Sequence, residues 1–120
     1  MGNKLPSTEN ERELLPPTQN LRVASLELPI AYENAEPLNG VACSLWGWIY
    51  IVYGHSIIVL DHNRAYRGSY GHVIDHGNKN GPANKARFNE PIGIRFIGDT
   101  LLICDSENGQ IRAIETFTSN

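Results

Sequence analysis

A chain of 120 residues with 41% hydrophobic content has room for one small globular domain, and its composition is neither that of a disordered chain nor that of a membrane protein. Ten Lys and Arg against thirteen Asp and Glu leave a formal charge of -3, which gives no general attraction to phosphate backbones and disfavours nucleic acid as a partner. Cys43 and Cys104 stand far apart in apolar stretches, a spacing that excludes a disulfide framework or zinc module and predicts two buried free thiols.

Residues 1–20 read as a flexible N-terminal tail. Pro6, Pro16 and Pro17 lie among polar and charged residues, and only the Leu14-Leu15 pair offers a docking point. Gly2 does not make a myristoylation site, because Pro6 stands where that motif needs Ser or Thr. No apolar run approaches the ~20 residues of a bilayer span and no secretory h-region is present, so no membrane span and a cytoplasmic protein are expected.

Residues 21–120 form the folded segment. Short apolar runs alternate with Gly, Asn and Asp, the pattern of many short strands rather than of helices. Strands are expected at Arg22–Leu28, Gly40–Ser44, Trp48–Val52, Ser56–Leu60, Tyr70–Ile74, Gly93–Phe96, Thr100–Cys104 and Gln110–Ile114. Trp46-Gly47, Gly54, Gly98-Asp99 and Asn108-Gly109 place a residue tolerant of positive φ at the reversals, so the pairing should be antiparallel. Ile49–Val52 and Ile57–Leu60 are continuously apolar, which suits strands covered on both faces.

The body repeats. Glu36-Pro37-Leu38-Asn39-Gly40-Val41 recurs as Glu90-Pro91-Ile92-Gly93-Ile94, Trp48–Val52 recurs as Thr100–Cys104, and Ile57–Asp61 recurs as Ile111–Glu115. From Pro37 to Pro91, and again from Ile57 to Ile111, the offset is 54 residues, within the range of a propeller blade of four short strands. The second copy, Gly77–Ile114, combines a Gly-rich loop, Ala86-Arg87-Phe88, Asn89-Glu90-Pro91-Ile92-Gly93-Ile94, an apolar strand ending in Asp105, and Asn108 ahead of Ile111-Arg112. In these features it resembles the NHL-repeat family. The first copy is degenerate: Tyr53 stands where the family has Asp, and Gly54-His55 replaces the Asn-containing turn. The resemblance implies an all-β fold of about two antiparallel NHL-like β-propeller blades in an incomplete ring.

Five motif residues have structural roles to fill. Pro91 fixes the chain entering the inner strand, Gly93 allows close approach near the axis, and Phe88 plugs the gap between blades. Asp105 and Asn108 close the hairpin before Ile111. Arg87 and Arg112 are expected to pair with Glu90 or Asp105. Trp46 and Trp48, separated by Gly47, should point the same way in an extended strand and pack on a neighbouring blade. The loop Gly77–Ala86, with little apolar anchorage, is expected to be the most mobile part of the body.

Residues for chemistry are few. His72, Asp75 and His76 form a weak metal candidate, with no further well-placed ligand identifiable elsewhere. Lys79, Lys85 and Arg87 share one loop and are the weak nucleic-acid candidates. No nucleophile is accompanied by a His and acid pattern, and no phosphate-binding loop opens a helix, so neither catalytic residues nor cofactors are expected. The favoured function is a non-catalytic protein–protein interaction module, completed into a propeller by other protein chains as a hetero-complex or a homo-oligomer. What the resemblance offers besides is part of a six-bladed enzyme of the amidating-lyase or strictosidine-synthase type, or an RNA-binding propeller surface. Two blades should also leave apolar faces on both flanks, so a stable lone monomer is not expected.

Overall fold

The computed structural model describes residues 22–29 and 36–116. The tail expected over residues 1–20, with Leu14 and Leu15, lies outside the described residues. Seven strands are formed among the described residues: β1 Leu38–Cys43, β2 Ile49–Tyr53, β3 Ser56–Leu60, β4 Tyr66–Gly71, β5 Pro91–Ile97, β6 Thr100–Asp105 and β7 Gln110–Glu115. They make two antiparallel sheets, β1-β2-β3-β4 and β5-β6-β7. The chain is therefore all-β, two propeller-like blades in an incomplete ring, and no described helix is long and apolar enough to cross a membrane.

The continuous apolar runs do what their pattern requires. Every residue of β3 is buried, as are Tyr50 to Tyr53 of β2, because each face of this hairpin meets a different partner. One face packs Tyr50, Val52, Ile57 and Val59 against Leu101, Ile103, Ile114 and Phe88 of the second blade. The other face gathers Ile51, Tyr53, Ile58 and Leu60, with Leu28 and Val73 lying against them. Val52, Ile57, Leu101 and Ile103 are fully excluded from solvent, each contributing about 1.5–3 kcal/mol of hydrophobic stabilisation.

The register explains the internal repeat. Tyr50 pairs with Val59 and Val52 with Ile57, just as Leu102 pairs with Ala113 and Cys104 with Ile111. The first members of these pairs lie 52 residues apart between blades and the second members 54. The hairpin turn accounts for the difference: Gly54-His55 closes the first blade, whereas Ser106–Gly109 closes the second as a short 3-10 turn ended by Gly109 at φ +64°.

Four expectations need correction. Residues 22–29 form no strand: Leu28 packs on the far face of the first blade, while Val23 and Leu26 are exposed. The fourth strand is Tyr66–Gly71 rather than Tyr70–Ile74, because Asp61 folds the chain back early. Cys43 and Cys104 are exposed, since each sits on a strand face with no covering layer. The far face of the first blade, finally, is covered by Leu28 and Val73 over β2 and β3, with Val41 and Cys43 of β1 exposed beside them, so among the described residues the second blade has the more open flank.

Asp61 shows how a single carboxylate makes that early reversal. Its Oδ1 accepts the amide protons of Asn63 at 2.9 Å and Ala65 at 3.0 Å, its Oδ2 lies 3.5 Å from Arg67 Nη1, and Arg64 takes φ +67° between them. The hydrogen bond from the Ala65 amide, more than any other cause, holds the carboxyl below its ordinary value. A depressed native pKa contributes stability that is fully present above the unfolded value, near pH 4, and is lost as pH falls through the native one. Acid unfolding followed by circular dichroism should therefore show a shallower loss of stability for Asp61→Asn than for the parent below roughly pH 4. Parallel curves would mean that the carboxylate is not what holds the turn.

Candidate functional site

The densest polar constellation lies where the second hairpin meets the loop between the blades. Asp105 ends β6 with its side chain completely buried, a position that is sustainable only if the charge is paired and hydrogen-bonded. Its Oδ1 accepts the Asn89 amide at 2.8 Å, and its Oδ2 accepts from Asn108 Nδ2 at 2.8 Å and from Arg112 Nη1 at 2.7 Å. Asn108 also donates to the Gly77 carbonyl at 2.8 Å. Arg112 spends the rest of its guanidinium on the carbonyls of Arg87 and Lys79 and on Asn80 Oδ1, at 3.0, 2.7 and 2.8 Å, and its Cζ lies 4.9 Å over the Phe88 ring.

This network fastens the inter-blade loop. Besides Arg112 and Asn108, backbone bonds join Lys79 to Arg87 in both directions, Gly77 to Phe88, and Ala83 to Gly71. The mobile loop expected over Gly77–Ala86 is thus tied to both blades; its Gly and Asn content suggests freedom, but the partners that remove it come from β7 and β4. Arg112 pairs with Asp105 as expected. Arg87 instead donates to the carbonyls of Ala86 and Asn84, at 2.7 and 3.3 Å.

Pro91 opens β5 with its ring buried, a place in a strand where its missing N–H costs no ladder bond. Phe88 is 3% exposed and lies between the sheets, as the plug role requires. Gly93 departs from expectation: its φ is +45°, and a Cβ built there would meet open space. The tight approaches occur elsewhere: an added Cβ would come within 2.7 Å of the Val73 carbonyl at Gly54 and within 2.9 Å of the Phe88 ring at Gly71.

The candidate ligands do not converge. His72 Nδ1 accepts the amides of Ile74 at 3.1 Å and Asp75 at 2.9 Å, which makes it a turn former, and Asp75 Oδ2 stands 4.0 Å from the same nitrogen. His76 turns to His55, with ring centroids 5.2 Å apart. No group of three His, Cys, Asp or Glu among the described residues is arranged to hold a metal ion. Lys79 and Lys85 are exposed on the loop, while the Arg87 guanidinium faces backbone carbonyls, so these three do not present a common cationic surface.

Sequence reasoning missed His55. Its Nδ1 accepts the amide of Glu90, 35 residues away, at 3.0 Å. Glu90 is held at φ +57° directly before Pro91, and its carbonyl accepts the Ser106 amide at 3.2 Å. The strained residue is thereby pinned from both blades. No local motif signals such a contact. Trp46 and Trp48 also differ from expectation: Trp48 is half-buried against the core under the Arg67 guanidinium at 5.3 Å, whereas Trp46 is 69% exposed at the hairpin tip.

A groove of about 330 Å³ opens between β4 and β7, with Tyr70, Pro82, Phe88, Arg112 and Ile114 in its wall. Arg112 there is already committed to Asp105 and the loop, so the groove offers shape rather than reactive groups. No protein-family model matches the chain, and no curated protein matches it.

Proposed function

We propose that this chain is an NHL-like propeller segment serving as a non-catalytic protein–protein interaction module, one subunit of a larger cytoplasmic assembly whose blades come from more than one protein. The observation that carries this reading is the asymmetry of the two flanks. On the outward face of the first blade β2 and β3 are covered by the chain's own residues and only Val41 and Cys43 of β1 are exposed, whereas the second blade ends among the described residues in a three-stranded sheet with Cys104, Ile111 and Ala113 exposed. Apolar surface of this kind on a folded domain marks a contact site. The buried charges support the same reading, because Asp105 and Arg112 are used up in fastening the inter-blade loop to the second blade. The cytoplasmic placement rests on the two exposed, unpaired thiols, which persist in a reducing compartment.

The test is the native mass of the chain in cell extract, by size exclusion with light scattering. A species well above the 13.3 kDa of one chain, containing a different protein, is the expected result. A monomer in extract would overturn the reading.

A further inference from the structure

The two blades are equivalent residue by residue, and this equivalence states what the open flank is built to meet. Val41 pairs with Ile51 as Ile94 pairs with Ile103, so the preceding glycines, Gly40 and Gly93, occupy the same place. Ala42 pairs with Tyr50 as Arg95 pairs with Leu102. With the hairpin pairs given above, the face Gly40, Ala42, Tyr50, Val52, Ile57 and Val59 of the first blade corresponds to Gly93, Arg95, Leu102, Cys104, Ile111 and Ala113 of the second. The first set lies under the second blade, with Tyr50, Val52, Ile57 and Val59 all 6% exposed or less. The second set is largely uncovered by the described residues: Ile111 is 67% exposed, Gly93, Arg95, Cys104 and Ala113 are exposed, and Leu102 is half-buried. Gly40 abuts Gly93, while Gly93 faces empty space at the corresponding spot.

We infer that the face formed by Gly93, Arg95, Leu102, Cys104, Ile111 and Ala113 is the acceptor for a third blade of the same repeat. The inference rests on the interaction-module reading and names its contact surface. The occupant is defined by what the second blade shows the first: aliphatic residues in the places of Leu101, Ile103 and Ile114, and an aromatic plug in the place of Phe88. It differs in one respect. Arg95 stands where the first blade has Ala42, so the incoming blade should bring a carboxylate to that corner. A second copy of this chain is a poorer occupant head-to-tail, because on the matching face of its first blade Ile51, Tyr53, Ile58 and Leu60 are covered by Leu28 and Val73, leaving Val41 and Cys43 of β1 exposed there.

The experiment supplies such a blade. Residues 62–116 are repeated after Glu115 of the full chain, which provides a fourth strand with the sequence of β4 and then a third blade; the added copy carries Cys104→Ser. A companion variant has Arg95→Ala in the acceptor blade to remove the unmatched charge. Maleimide labelling of Cys104 is followed with Cys43, on β1 of the first blade, as the internal reference. Protection of Cys104 by roughly tenfold or more in either extended chain, with Cys43 unchanged, is expected. Unchanged Cys104 reactivity in both, whether the added blade folds or not, would overturn the inference. So would concentration-dependent protection of Cys104 in the unextended chain, which would make a second copy the occupant. Because this test uses purified protein only, it can fail while the extract experiment succeeds, and the reverse.

Discussion

Asp105→Ala is expected to destabilise the fold by about 3–5 kcal/mol, the usual cost of leaving the partner of a buried ion pair uncompensated. The carboxylate is fully buried and serves Asn89, Asn108 and Arg112 together. Its loss strands a guanidinium that cannot move to water without releasing the carbonyls of Lys79 and Arg87. The inter-blade loop should therefore loosen before the sheets separate. Urea unfolding measures the loss, and hydrogen exchange over Gly77–Arg87 locates it. Adding Arg112→Met should recover part of the stability, since an apolar side chain of similar length removes the stranded charge. If Asp105→Ala unfolds at the parental urea midpoint, the network is not what joins loop to blade.

Phe88→Ala should cost a similar amount, roughly 3–5 kcal/mol, by emptying a packed aromatic site. The ring contacts the buried residues of both sheets and lies beneath the Arg112 guanidinium. It is also pressed against the backbone of β4: a Cβ added to Gly71 would come within 2.9 Å of the ring. Truncation leaves a cavity at the blade junction that the flanking hairpins, each held by its own ladder, cannot collapse to fill. An unchanged melting temperature would place Phe88 outside the core.

What is legible in the sequence follows from how local the determinants are. The β2–β3 and β6–β7 hairpins can be read because continuous Ile, Val and Leu runs are bounded by Gly54 and by Asn108-Gly109; the expected β3 has the observed limits and the expected β6 falls within one residue of them. The parts played by Phe88, Pro91, Asp105 and Asn108 are legible from the repeat. The limits of β4 are not, because it is an outer strand with a polar sequence, Tyr66-Arg67-Gly68-Ser69-Tyr70-Gly71, and its start is set by hydrogen bonds to Asp61 rather than by hydrophobic pattern. The cysteines mislead for a different reason. Cys104 occupies a position whose equivalent, Val52, is completely buried, so its sequence context is that of a core residue. The layer that would cover it is not formed by the described residues. The reach of Arg112 to Lys79 and of His55 to Glu90 spans 33 and 35 residues, a distance over which no spacing rule speaks.

The most direct test of the account is to label Cys104 and Cys43 with a maleimide in the purified chain and in the native complex from cell extract, and to compare the two rates. Cys104 is expected to react freely in the purified chain and to be strongly protected in the complex, because the open flank is where the assembly continues. Equal Cys104 reactivity in both states, with the chain held in a complex, would contradict it.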